Sequence, residues 1–107
     1  MTPNQLKATI DSARHQTVRY LLLMTLNTAR PMQAQAYMLR SVVAAVFPDV
    51  TDLEVLRELD YLKSRELISS HTNPMGQTFA KIERYGIDVI ERSVECDPGI
   101  TLPPIDG

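Results

Sequence analysis

Residues 51–82, TDLEVLRELDYLKSRELISSHTNPMGQTFAKI, constrain this chain more tightly than any other stretch. Thr51-x-x-Glu54 has the spacing of a capping box, in which each side chain can satisfy the other residue's backbone N–H. Val50 before the cap and Val55 four residues into the helix have the spacing of a hydrophobic staple. A helix over 51–65 follows, with Leu53, Leu56, Leu59, Tyr61 and Leu62 as the inward stripe and Glu54, Arg57, Glu58, Asp60 and Lys63 outward. Leu67 to Thr72 can form a strand. Asn73-Pro74-Met75-Gly76 has turn chemistry, with Gly76 free to take a positive φ. Gln77 to Ile82 returns as a second strand. Phe79 and Ile82 do not alternate, so a bulge or an early strand end is expected there.

Upstream, residues 4–29 read as a helix. Leu6, Ile10 and Ala13 lie on one stripe, which Val18, Leu21, Leu22 and Thr25 continue at three- and four-residue steps. The part before Arg14 is more polar and reads as a frayed or separate turn. Pro31 disfavours helical geometry at Arg30 and ends the element. Residues 33–46 form a second helix, with Tyr37, Met38, Val42, Ala45 and Val46 at helical spacing; Pro48 breaks it. Residues 83–93 form a short last helix with Tyr85, Val89 and Ile90 inward. Gly86 inside it costs about 1 kcal/mol against Ala, which implies a packing reason. Met24 and Met38 read as core filler, and Tyr20, Tyr37, Tyr61 and Tyr85 as half-buried rings tying helices together.

The order is helix, helix, helix, hairpin, helix, tail. This is a mainly α chain with a small β-hairpin, the topology of a winged helix-turn-helix, which is preferred here over a three-helix bundle with a loose hairpin. At 107 residues it is one domain over 1–93 with an extended, Pro-rich tail over 94–107.

The expected chemistry is binding rather than catalysis. His15 and His71 are far apart in sequence. Cys96 is the single cysteine, between Glu95 and Asp97, which blunt a thiolate. The four glycines make no phosphate cradle. No enzyme activity, metal, cofactor or small-molecule substrate is expected. The longest apolar run, Tyr20 to Met24, is too short to span a membrane. The N-terminus lacks the pattern of a secretory signal, and a cytoplasmic location is expected.

Ala80-Lys81-Ile82-Glu83-Arg84-Tyr85-Gly86-Ile87-Asp88-Val89 is similar to the L-T-x-x-G junction in which a wing strand enters a helix. Leu59-x-x-Leu62-x-x-x-Glu66-Leu67-Ile68 is similar to the junction before the wing, and Asp97-Pro98-Gly99-Ile100-Thr101-Leu102-Pro103 to a P-G-V-x-R-P ending. In this order and spacing the chain resembles a small protein family carried by Mu-like phages and prophages. Ile82-Glu83 stands where Leu-Thr is usual, Leu102 where a base is usual, and Glu66 where a Gly is common. The resemblance implies a winged-helix fold and a phage or prophage origin.

Two partners are expected of such a module. The first is double-stranded DNA, with the chain as a transcriptional regulator. Helix 51–65 would enter the major groove with Arg57, Lys63 and Arg65 on phosphates or guanine edges and Ser64 on a phosphate. His71, Asn73 and Gln77 of the wing would touch the neighbouring groove, and Arg30, Gln33, Gln35 and Arg40 would position the backbone. Charge opposes this. Net charge is −2, residues 49–66 hold six acids against three bases, and the wing has no Arg or Lys between Glu66 and Gln77. DNA affinity is largely phosphate neutralisation, so the reading rests on a basic surface of Arg14, Arg19, Arg30 and Arg40 on the first two helices. The alternative is a module that binds a phage or host protein through its acidic face and Pro-rich tail. In either case the apolar first helix is the candidate surface for a homodimer.

Overall fold

The computed structural model describes residues 1–92 and 98–103. Helix α1 (Pro3–Thr28) is followed by a two-residue strand β1 (Ala34–Gln35), α2 (Ala36–Ala44), α3 (Asp52–Ser64), the hairpin β2 (Ile68–Thr72) and β3 (Thr78–Ile82), and α4 (Arg84–Ile90). The sheet is antiparallel in the order β1-β3-β2. Among the described residues no helix is long and apolar enough to cross a membrane.

α1 is one continuous helix and its early part is not a separate turn. Thr2 and Gln5 form a complete capping box, Thr2 Oγ1 accepting from the Gln5 N–H and Gln5 Oε1 from the Thr2 N–H, with Pro3 at the first helical position. The capping box expected on α3 is half formed. Thr51 Oγ1 accepts from the Glu54 N–H at 3.1 Å, but the Glu54 carboxylate accepts from Arg14.

The core is built from Val18, Leu22, Leu23 and Leu26 of α1, Leu39 and Val43 of α2, Val55, Leu59 and Leu62 of α3, the strand residues Ala34, Ile68, Ala80 and Ile82, and Val89 of α4. Val50 and Val55, the staple pair, are both buried. Two helical faces differ from expectation. In α3, Leu53 is exposed and Glu58 is 4% exposed. The Arg19 guanidinium and the His15 ring of α1 meet the Glu58 carboxylate, so it can take the inward position that a leucine would otherwise fill. In α2, Tyr37, Met38 and Val42 face out, as does Val46 just beyond the helix, and the buried stripe is Leu39 and Val43. The backbone is extended at Ala34–Gln35 to pair with Ala80 and Phe79 of β3, so α2 starts later and shows a different face. Met24 is exposed as well, and Tyr37 and Tyr85 are exposed rather than half-buried.

The hairpin pairs without interruption from Ile68–Ile82 to Thr72–Thr78, so there is no bulge. Phe79 and Ile82 fail to alternate because they lie on opposite faces: Ile82 and Ala80 enter the core, and Phe79 stacks on His71 with ring centroids 5.5 Å apart. α3 ends in a Schellman motif. The Glu66 N–H donates to Lys63 O and the Leu67 N–H to Leu62 O, with Glu66 in the left-handed region at φ 63°. α4 is shorter than expected, Arg84–Ile90. Gly86 lies against the start of β2: a Cβ there would sit 2.2 Å from Leu67 O, the packing reason its sequence position implied. Residues 98–103 cross α1. Ile100 is buried in the core, Thr101 Oγ1 donates to Gln16 Oε1, and Gln16 Nε2 donates to Pro98 O. Cys96 lies outside the described residues.

Candidate nucleic-acid interface

Helices α2 and α3 stand beside the hairpin, and the outward side of α3 carries Leu53, Arg57, Asp60, Lys63 and Ser64, all exposed. Arg57 has no ion-pair partner among the described residues and opens onto a cleft of about 350 Å³ between α1 and α3, shared with Asp11, Arg14, His15 and Glu58. Lys63 Nζ donates to Ser70 O of β2 at 3.2 Å, which holds its ammonium between the helix and the wing. Ser64 Oγ donates to Tyr61 O at 2.6 Å, and the Arg65 guanidinium lies 5.4 Å from the centre of the Tyr61 ring.

The wing turn has no Arg or Lys between Glu66 and Gln77 and is closed by hydrogen bonds. Asn73 Oδ1 accepts from the N–H groups of Met75 and Gln77, and Asn73 Nδ2 donates to Gln77 Oε1. The Asn73 N–H donates to Gln77 O, and Gly76, at φ 82°, donates its N–H to Asn73 O. Asn73 and Gln77 therefore shape the turn with the same groups that the sequence assigns to DNA. His71 remains exposed, stacked on Phe79, and Met75 stands at the tip, 82% exposed. Gln35 and Gln77 are brought to one hollow of about 260 Å³, with Tyr37, Asp52 and Leu56, between α2, α3 and the wing. Gln33 is exposed beside it in sequence.

The expected basic surface on the first helices does not form, because each arginine is matched by an acid. Arg14 donates from Nε and Nη2 to Glu54, both at 2.8 Å, and from Nη1 to Asp49 at 3.0 Å. The hydrogen bonds to Glu54, opposed by burial and aided by Asp49, raise the Arg14 pKa above the usual arginine value. Arg19 lies 3.3 Å from Glu58, stacks 3.6 Å over the Tyr61 ring and donates to Gly99 O. Arg30 lies 3.6 Å from Glu91. Arg40 Nε lies 2.9 Å from Asp52 Oδ1, close enough for an ion pair but without hydrogen-bond alignment.

The same pairs neutralise most of the acid on and before α3. Of the six acids in residues 49–66, Asp49 and Glu54 are held by Arg14, Glu58 by Arg19 and Asp52 by Arg40. Asp60 and Glu66 have no cationic partner among the described residues. Sequence counting saw the charges but not their pairing, which is tertiary: Arg14 and Glu54 are 40 residues apart. Among the described residues no group of three or more His, Cys, Asp or Glu is placed to hold a metal ion.

Three helices, a short strand beside the hairpin and a wing at the end of the third helix make this a winged helix-turn-helix protein. Its fold is similar to that of MarR from E. coli. The wild-type apo form superposes with a TM-score of 0.56 at 14% identity, over 86% of this chain and 73% of that one. A cysteine-to-serine mutant of MarR gives the same TM-score at 15% identity and the same coverage. No family model and no curated protein matches the sequence.

Proposed function

We propose that this chain binds double-stranded DNA as a transcriptional regulator, with α3 in the major groove and the wing alongside. The observation that carries the reading is the outward side of α3. Lys63 and Ser64 stand exposed there beside the wing and Arg57 at the edge toward α1, while Glu54 and Glu58 are paired with α1. The likeness in fold to MarR supports the same placement of helix and wing. Lys63 is the stronger phosphate contact, because its bond to Ser70 O fixes the ammonium before DNA arrives. The turn of the wing, which has no Arg or Lys between Glu66 and Gln77, adds contact area but no counterion release.

The test is a fluorescence titration of mixed-sequence duplex at low and rising salt. Affinity should fall steeply with salt. Arg57→Ala/Lys63→Ala should weaken binding and lower the log–log salt slope by about 2, near 0.9 per lost phosphate contact. Unchanged affinity in that variant sinks the assignment.

One observation favours a second reading, a protein-docking module. The outer face of α2 carries Tyr37, Met38 and Val42, and Val46 follows just beyond it, all exposed and uncharged, the kind of patch that marks a protein contact. Absence of duplex binding at low salt, where phosphate contacts are strongest, would favour it.

A further inference from the structure

Building on the DNA reading above, we propose that Met75 is a wedge. The wing inserts it between stacked base pairs at a pyrimidine–purine step of the minor groove, and so selects the DNA this chain binds. Met75 is 82% exposed at the tip of the hairpin, between Pro74 and Gly76, which are exposed as well. The turn does not need its side chain. The Met75 N–H donates to Asn73 Oδ1 at 3.0 Å, the Gln77 N–H to the same oxygen at 2.9 Å, and the Gly76 N–H to Asn73 O. These bonds to the main chain fix where the Met75 side chain starts, while the thioether itself stays in water.

Charge decides what such a tip can do. Residues 67–80 contain no Asp, Glu, Lys or Arg. The tip therefore brings no cation to a phosphate and no acid that a phosphate would repel. It presents an unbranched apolar side chain, next to a proline, at the end of a ladder paired in full register from Ile68–Ile82 to Thr72–Thr78. Apolar side chains of this kind, Met and Pro among them, enter the minor groove between base steps, partly unstack them and kink the duplex by about 20–90°. A thioether is flexible and polarisable, so it adapts to an opening of irregular shape.

Position agrees with this role. β2 runs back along α3, tied to it where Lys63 Nζ donates to Ser70 O, and the turn comes level with the start of the helix. There Gly76, Gln77 and Thr78 face Asp52 and Leu56 across a hollow of about 260 Å³. A sugar–phosphate strand seated in that hollow leaves α3 in the major groove on one side and Met75 in the adjacent minor groove on the other. The acid in the seat is answered, since Asp52 Oδ1 lies 2.9 Å from Arg40 Nε. Pyrimidine–purine steps, TA and CA, kink most readily, whereas A-tracts are stiff. A wedge at this place makes the chain sensitive to the deformability of a step whose base edges it does not read.

The test uses the full chain and two end-labelled duplexes of about 25 base pairs. They share one base composition, arranged as TA and CA steps in the first and as A-tracts in the second. Anisotropy reads binding, and energy transfer between the duplex ends reads bending. Wild type should bind the first duplex about tenfold more tightly and raise energy transfer only there, because only that sequence kinks readily. Met75→Ala and Met75→Gln should abolish the bend and equalise the two affinities, and Met75→Leu should keep both effects. The salt slope of Met75→Ala should match wild type, because no phosphate contact is lost. Arg57→Ala/Lys63→Ala should weaken binding to both duplexes and leave their ratio standing. A wild type that binds both duplexes equally without bending either would overturn the wedge and leave DNA binding intact. So would Met75→Ala with the wild-type bend and ratio. No binding to either duplex at low salt would overturn the DNA reading and the wedge together.

Discussion

Glu58 of α3 and Arg19 of α1 form an ion pair with the carboxylate and guanidinium 3.3 Å apart, their side chains 5% and 16% exposed. His15 Nδ1 lies 3.2 Å from the same carboxylate, and the Tyr61 ring covers the guanidinium. The pair fixes the rotation of α3 about its axis, and so which residues it presents outward. Removing one partner strands the other charge. Arg19→Met should cost about 3 kcal/mol, the usual penalty for an unpaired buried charge, whereas Arg19→Met/Glu58→Leu should recover most of that loss. Urea denaturation of the three chains measures both values, and a double variant no more stable than the single one would refute the account.

Glu66 occupies a left-handed backbone position, φ 63°, at the end of α3. A residue with a Cβ is strained there and glycine is not. The side chain is exposed, so its removal loses no packing. Glu66→Gly should stabilise the domain by about 0.5–1 kcal/mol, the strain relief exceeding the added entropy of the unfolded chain. For a domain of this size the melting temperature should rise by about 4 °C. A fall in melting temperature would show that Glu66 makes a favourable contact instead.

How much of this was legible depends on where each signal resides. The caps, breaks and turn are local: Thr51, Pro48 and Asn73-Pro74-Met75-Gly76 place their elements within a residue or two. The fold followed because local signals sufficed to order three helices and a hairpin. What was illegible is tertiary. β1 is two residues long, too short for any periodicity, and exists only because β3 offers Ala80 and Phe79 as backbone partners. Its formation moves the start of α2 and with it the buried stripe, from Met38 and Val42 to Leu39 and Val43. A carboxylate belongs in water unless paired, which puts Glu58 outward on sequence alone, and its partners lie 39 and 43 residues away. The same blindness produces an expected basic face from Arg14, Arg19, Arg30 and Arg40, and an acidic recognition helix. Each is half of the same set of ion pairs.

Asn73 organises the wing tip through three side-chain hydrogen bonds, to the N–H groups of Met75 and Gln77 and to the Gln77 side chain. Asn73→Ala should destabilise the domain by about 1–2 kcal/mol, the cost of leaving such donors unsatisfied. Amide exchange at Met75 and Gln77 should quicken, while amides in the buried half of α1 stay protected. Asn73→Asp preserves the acceptor and should retain slow exchange at both amides. If Asn73→Ala left those amides as slow as in wild type, the turn would be held by backbone bonds alone.

Gly86 sets two general effects against each other. It sits inside α4, where replacing glycine by alanine ordinarily gains about 1 kcal/mol from reduced backbone entropy in the unfolded chain. Here a Cβ would stand 2.2 Å from Leu67 O and 2.8 Å from Ile82 Cγ1. The first of these is backbone, and it is already committed, since Leu67 O accepts from the Glu83 N–H. It cannot move without loosening the junction at which β2 begins and α4 starts. Overpacking of this kind costs about 1–3 kcal/mol, so the steric effect exceeds the helix gain. Gly86→Ala should therefore lower stability in a urea melt, and exchange should quicken at Glu83 and Ile68 before it does in the α1 core. A variant as stable as wild type would mean that α4 can shift away from the hairpin, and that the packing of its first turn does not set the position of the wing.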